Sequence, residues 1–184
     1  SAKVWMQHPF VQKAIPLAFG DNYRGYKILG TTPDYLEKYG ATISEGKLFE
    51  KNFEVVIGSD IVQKLSLRIG YEFFGSHGDA AEGEVHDHYA YKVVGIAKPT
   101  GKVVDNLILC TIPSVWQMHG GHEEGGNPAH GEEGHVHVEG DEHHEEADMT
   151  LDEPGMEITA VLLKFRNKMG IVTWPRIIAQ NTKM

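Results

Sequence analysis

The sequence predicts a mixed α/β (α+β) domain built from short elements and interrupted by one long insertion. Three observations predict it. Apolar, β-rich runs recur along the chain, separated by Gly, Pro and Asn turns. Capped helical starts follow two of those runs. Between His119 and Glu146, seven histidines, nine carboxylates and seven glycines fill 28 residues that contain no lysine or arginine. That segment is too polar to build a core.

Each element has a local reason. Val11 to Phe19 is apolar and broken by Pro16, as in an edge or parallel strand. Gly20-Asp21-Asn22 reads as a turn and Tyr26 to Gly30 as a second strand. Thr31-Thr32-Pro33-Asp34 has a threonine cap and an early proline, so a helix should start there and close at Gly40. Glu54 to Ile57 is a short strand, and Ser59 should cap a two-turn helix through Leu65. Tyr71 to Phe74 is followed by a hydrophilic excursion from Gly75 to Val85. Tyr89 to Ala97 and Asn106 to Ile112 are the next strands, around a Pro99-Thr100-Gly101 turn. Pro113 to Met118 reads as a short helix delivering the chain to the histidine tract. Glu157 to Phe165 returns as a strand. Ile171 to Gln180 closes as a helix despite Pro175.

Composition excludes several function classes. The net charge of −9 is unevenly spread: Val103 to Leu163 carries fourteen acidic residues and no Lys or Arg, so the remainder holds 17 basic and 12 acidic residues, a net of +5. The acidic segment would repel phosphates, so no nucleic-acid partner is expected there. The single cysteine, Cys110, rules out an internal disulfide framework and a cysteine-based zinc finger. It sits in an apolar run and reads as a buried small hydrophobe. No apolar stretch approaches the roughly 20 residues that cross a bilayer. The start at Ser1-Ala2, without methionine or signal peptide, reads as a tag remnant before an excised fragment.

Several pieces, in this order, resemble the extracytoplasmic core domain of the MacB/FtsX/LolE-type ABC transporter permeases. They are Gly30 to Leu36, Glu45-Gly46-Lys47-Leu48-Phe49, Glu54 to Gly70, Tyr91 to Ile96 and Leu109 to Pro113. The glycines are fold-making: Gly46 turns the chain, Gly58 hands a strand to a helix, and Gly70 reverses into the next strand. The resemblance therefore speaks to architecture before chemistry. It implies a porter-like α/β subdomain from residues 1–52 and 156–184 and an inserted β-rich subdomain from 53–118; composition adds a His/Glu/Gly-rich flexible loop at 119–155. It also implies a location outside the cytoplasmic membrane of a bacterium, in a membrane-embedded, dimeric parent protein. ATP hydrolysis would belong to a separate cytoplasmic subunit, with a periplasmic metal-binding protein or a lipoprotein as a further partner. Two departures stand out. The family has no His/Glu-rich loop, and Gly75 to His88 is longer and richer in histidine than a plain hairpin. With Asp21 to Tyr26, Ser114 to His119 and Gly170 to Arg176, these features resemble a narrower subgroup associated with zinc-responsive transport.

The histidines fall into three groups. His86 and His88 are two apart at strand spacing, with His77 across the same excursion. Imidazole pairs of this kind suit zinc; the bland reading is a solvated hairpin. His119 and His122 would share a face if the preceding helix continues, and Glu123 adds an oxygen ligand. The sharpest expectation is one metal site combining His77, His86 or His88 with His119 or His122, which requires the two segments to meet. His130, His135, His137, His143 and His144 form a low-affinity capture loop, raising local metal concentration by tethering. Against it stand a solvated acidic loop without a role and a pH switch near pH 6.

Enzymatic readings fit poorly. His119-Gly120-Gly121-His122-Glu123 puts glycines where the H-E-x-x-H helix needs helix formers. Ser59 lacks the second glycine of a nucleophile elbow, and no phosphate-binding loop is present. Asp105 and Arg176 read as isolated surface charges. The expected function is a transport module that binds zinc or a metal-linked cargo. The alternative is an interaction module using aromatics such as Trp116, Tyr23 and Tyr26.

Overall fold

In the computed structural model, residues 2–76, 89–119 and 158–181 are described. They form a mixed α+β fold around an eight-stranded sheet with the strand order β3-β6-β4-β7-β2-β1-β8, β5 pairing β6 beside β3. The strands are β1 (Val11–Tyr23), β2 (Tyr26–Gly30), β3 (Ile43–Gly46), β4 (Glu54–Ile57), β5 (Glu72–Phe73), β6 (Tyr91–Ala97), β7 (Ile108–Cys110) and β8 (Ala160–Phe165). The helices are α1 (Ala2–Met6), α2 (Asp34–Tyr39), α3 (Ser59–Leu65), α4 (Ile112–His119) and α5 (Lys168–Asn181), with a 3₁₀ turn at Val103–Asn106. Pairings β2–β7 and β4–β6 are parallel, and the other ladders are antiparallel. Strands from both parts of the chain assigned above to separate subdomains share this sheet, through β2–β7 and β3–β6.

Both faces of the sheet are covered, which explains why the central strands are continuously apolar. Ile28, Val55, Ile57, Ile108 and Cys110 point to one face, where Ile61 of α3 and Ile112, Val115 and Met118 of α4 meet them. Their neighbours Leu29, Val56 and Leu109 point to the other, under Tyr35 and Leu36 of α2. Cys110 is buried as expected, and burial pushes its thiol pKa well up, so the thiol stays protonated and unreactive.

The structure corrects three local expectations. Gly20-Asp21-Asn22 is no turn; β1 runs straight through it to Tyr23, with a register shift between Phe19 and Asn22. The turn lies at Arg24-Gly25, where both residues have positive φ. Gly20 has a tertiary purpose instead. A Cβ there would sit 3.0 Å from Val115 of α4, and one at Gly30 would sit 2.9 Å from the same side chain. The two glycines let α4 lie close against β1 and β2. Pro16 fits because β1 changes partner beside it, from β8 (through Leu17) to β2 (from Ala18).

Second, Ser59 does not cap α3. Gly58 is the N-cap, and the Ser59 hydroxyl is buried without a hydrogen-bond partner. A buried hydroxyl without a partner is a net cost, so Ser59→Ala should leave stability unchanged or raise it by about 1 kcal/mol. A lower denaturant midpoint for Ser59→Ala would contradict that account.

Third, Asp105 is not a surface charge. It is 4% exposed and closes the Thr100-Gly101 turn.

Candidate functional site

The ten histidines and Glu123 named as candidate ligands cluster in two segments, 77–88 and 119–144. His119 is the last residue of α4. His77, His86, His88, His122, Glu123, His130, His135, His137, His143 and His144 lie outside the described residues. Among the described residues, no three His, Cys, Asp or Glu groups gather where a cation could be held. What the structure does place is the root of each segment.

Two roots sit on β1. Ser76, which directly precedes His77, exchanges backbone hydrogen bonds with Asn22: Asn22 N–H to Ser76 O at 3.1 Å and Ser76 N–H to Asn22 O at 2.9 Å. On the returning side of the long insertion, Thr159 N–H donates to Leu17 O at 2.8 Å, and Phe19 N–H donates to Thr159 Oγ1 at 3.1 Å. Leu17 and Asn22 are five residues apart, roughly 17 Å along a strand.

The other two roots are tied through α4. Tyr89, which directly follows His88, stacks on Phe53 with ring centroids 4.8 Å apart and planes 2° from parallel. Phe53 holds a left-handed backbone (φ 64°), and its N–H donates to Ser114 Oγ at 2.8 Å. Ser114 belongs to α4, five residues before His119, or about 8 Å of helix. Ser114 also shares a 2.7 Å hydroxyl contact with Thr111, whose Oγ1 donates to Asn52 Oδ1 at 2.8 Å. Because α4 packs over Gly20 and Gly30, its end is referred back to β1. All four roots therefore share one β1–α4 frame.

The floor of this end is aromatic, with one buried carboxylate, Asp21. Tyr23 packs on Phe73 at 4.3 Å and meets the Tyr71 hydroxyl at 3.1 Å. Burial, then that hydrogen bond, pushes its pKa up to about 12, so it stays neutral. Tyr91 is driven well above the ordinary phenol range by burial first, then by the neighbouring Cys110 and Asp21. Asp21 is itself buried beneath Gly75, at the foot of the 77–88 segment. Protonated thiol and phenol groups supply neither a nucleophile nor a base at neutral pH. Trp116, Tyr23 and Tyr26 are half-buried against the core. Phe19, Phe74 and Tyr89 are the aromatics this end exposes.

Sequence reasoning missed Asn22, Phe53, Ser76 and Thr159. The link from Ser114 to Phe53 spans 61 residues and that from Phe19 to Thr159 spans 140, with no local signature.

No family model matches the chain, and no curated protein matches it. Among solved structures it is similar to the extracellular domain of the ABC-type transporter YknZ from Gram-positive bacteria, with a TM-score of 0.56 at 10% identity, covering 97% of this chain and 80% of that one. The likeness is one of fold. The periplasmic region of MacB from Actinobacillus actinomycetemcomitans aligns with a TM-score of 0.46 at 13% identity, over 68% of this chain and 57% of that region. The chain thus spans little more than half the length of that MacB region. No helix among the described residues is long and apolar enough to cross a membrane.

Proposed function

We propose that this chain is the extracytoplasmic domain of an ABC transporter permease that captures a divalent cation, zinc before copper or nickel, as cargo. The fold shared with an ABC-transporter extracellular domain supports the location. The observation that carries the cation reading is the common frame of the four roots. His77 and His88 are each one residue from an anchored position, Ser76 and Tyr89, and His119 ends the helix that anchors Tyr89 through Phe53. One residue of chain spans 3.8 Å, so His77 and His88 would each be tethered close to a described root, as a shared ion would require. His86, His122 and Glu123 would complete the set. His130, His135, His137, His143 and His144 would feed it by raising the local ion concentration. A cytoplasmic ATPase would drive the membrane part of a dimeric permease, and this domain would relay the motion mechanically.

Imidazole binds metal only when neutral, so capture should weaken as pH falls from 7.5 to 5.5. Equilibrium dialysis against zinc provides the test, using the intact chain, a His77/His86/His88→Ala variant and a His119/His122→Ala variant. The expected result is one tight zinc that both variants lose, above a weak background that both keep. Independent, additive losses would mean two separate sites. No zinc bound more tightly than millimolar in the intact chain would remove the cation reading.

A second reading uses the same end of the fold. Phe19, Phe74 and Tyr89 are exposed around the roots and would suit a periplasmic partner or a lipoprotein. Partner binding that survives chelator and the histidine substitutions would favour it.

A further inference from the structure

We propose that the face formed by α1 and α5, at the opposite end of β1, seats on an anionic lipid surface. The inner side of α5 is narrow. Gly170 packs on Phe165, and the Trp174 ring meets Trp5, His8 and Phe165 edge-on, with centroids 5.7, 5.0 and 5.0 Å away. That cluster fixes α5 to α1 and to the end of β8. The outer side of α5 is apolar too: Met169, Ile171 and Val172 are 66%, 60% and 73% exposed, and Val4 of α1 is 66% exposed. A helix that is apolar on both sides needs a second cover.

Charge identifies the cover. Residues 2–10 and 160–181 contain Lys3, Lys164, Arg166, Lys168 and Arg176 and no Asp or Glu, a net of +5. The rest of the chain then holds 12 basic and 26 acidic residues, a net of −14. A second copy meeting this face with its own would bring like charges together, among them Lys168 and Arg176 of α5. An anionic bilayer attracts these cations and repels segments 77–88 and 120–157, which carry 17 carboxylates and no Lys or Arg and whose described roots are tied to the other end of β1. Apolar side chains with flanking Lys and Arg are what an interfacial helix offers to headgroups and the upper acyl region. The inference is compatible with the permease reading and does not depend on metal capture.

The test is co-sedimentation of the whole chain with vesicles of phosphatidylglycerol and phosphatidylcholine, or of phosphatidylcholine alone, in chelator. Binding to the anionic vesicles alone, weakened severalfold by 0.5 M salt, is expected. Lys168→Glu/Arg176→Glu and Met169→Asp/Val172→Asp should each reduce it about tenfold or more with unchanged melting, because all four side chains are exposed. Lys38→Glu, on the exposed side of α2, should bind as the parent does. Equal binding to both vesicle types, or undiminished binding by the α5 variants, would overturn the proposal. So would a solution dimer that Val172→Asp dissolves, which would give the face to a second copy. Chelator removes the cation throughout, so the lipid and metal readings fail separately.

Discussion

Gly95→Ala should lower the stability of the domain by about 3 kcal/mol or more. Gly95 lies in β6, opposite Gly46 of β3. A Cβ at Gly95 would land on the carbonyl of Lys47 and 2.9 Å from Val56 Cγ2. The Lys47 backbone cannot step aside, because its N–H donates to Val94 O at 2.9 Å and holds the end of β3 in register. Relief would require unpairing β3 from the sheet. Gly40→Ala supplies the comparison. Gly40 caps α2 at φ 69° with open space around its missing Cβ, so alanine there should cost only the backbone term, about 1 kcal/mol. Denaturant midpoints for the two variants decide the matter, and equal losses would show that the contact with Lys47 is not the cause.

Asp105→Ala is expected to cost about 2–4 kcal/mol. The carboxylate accepts hydrogen bonds from Thr100 N–H at 3.0 Å, Thr100 Oγ1 at 2.8 Å and Gly101 N–H at 2.7 Å. Removing it leaves those donors without their acceptor and frees the turn between β6 and β7. The change reaches further, because a Cβ at Gly58 would meet the Asp105 carbonyl, so the β4–α3 junction rests on the same residue. Burial alone would raise the Asp105 pKa; the hydrogen bonds from Thr100, Gly101 and Lys102 outweigh it and hold the group below the ordinary aspartate range. The sign follows. A depressed carboxylate contributes stability that is complete above its unfolded pKa, near 4, and is lost as pH falls through the folded value. Glu54 adds to this acid limb. Burial raises its pKa too, but the Glu50 and Lys51 N–H groups, at 2.9 and 3.0 Å, together with Lys47 lower it overall. Stability measured from pH 7 to pH 2 should therefore fall below about pH 4. Asp105→Asn should flatten that fall, and an unchanged slope would count against the assignment.

The legible parts of the fold are those written in local chemistry. Gly40 closes α2 in the left-handed conformation, and Gly58 hands β4 to α3, because both duties are set by neighbouring residues. The helix α5 forms despite Pro175, anchored from within by Trp174. Errors arose where a residue answers to a distant partner. Gly20 reads as a turn residue, yet its smallness serves Val115, 95 positions later. Asp105 is the local exception: it reads as a surface charge although its donors, Thr100 and Gly101, lie only five and four residues before it. The strand β3, Ile-Ser-Glu-Gly, has no β pattern and exists because Gly46 and Gly95 admit close approach. At the candidate site the ligand types are plain in the sequence. Their common frame is not, because it depends on Asn22 meeting Ser76 across 54 residues and Phe53 meeting Ser114 across 61.

The strand β1 joins the two working ends. At Val11 it meets α1 and the end of β8, and from Leu17 to Asn22 it carries the histidine segments. Eleven residue steps of strand, from Val11 to Asn22, make a spacer of about 36 Å. Anionic headgroups are themselves cation binders, and their field decays over about 8 Å at physiological salt. A zinc ion held at the far end would stand several screening lengths from a bilayer at α5. The headgroups would then be no rival for the cargo, and its affinity would be insensitive to the lipid composition beneath the domain.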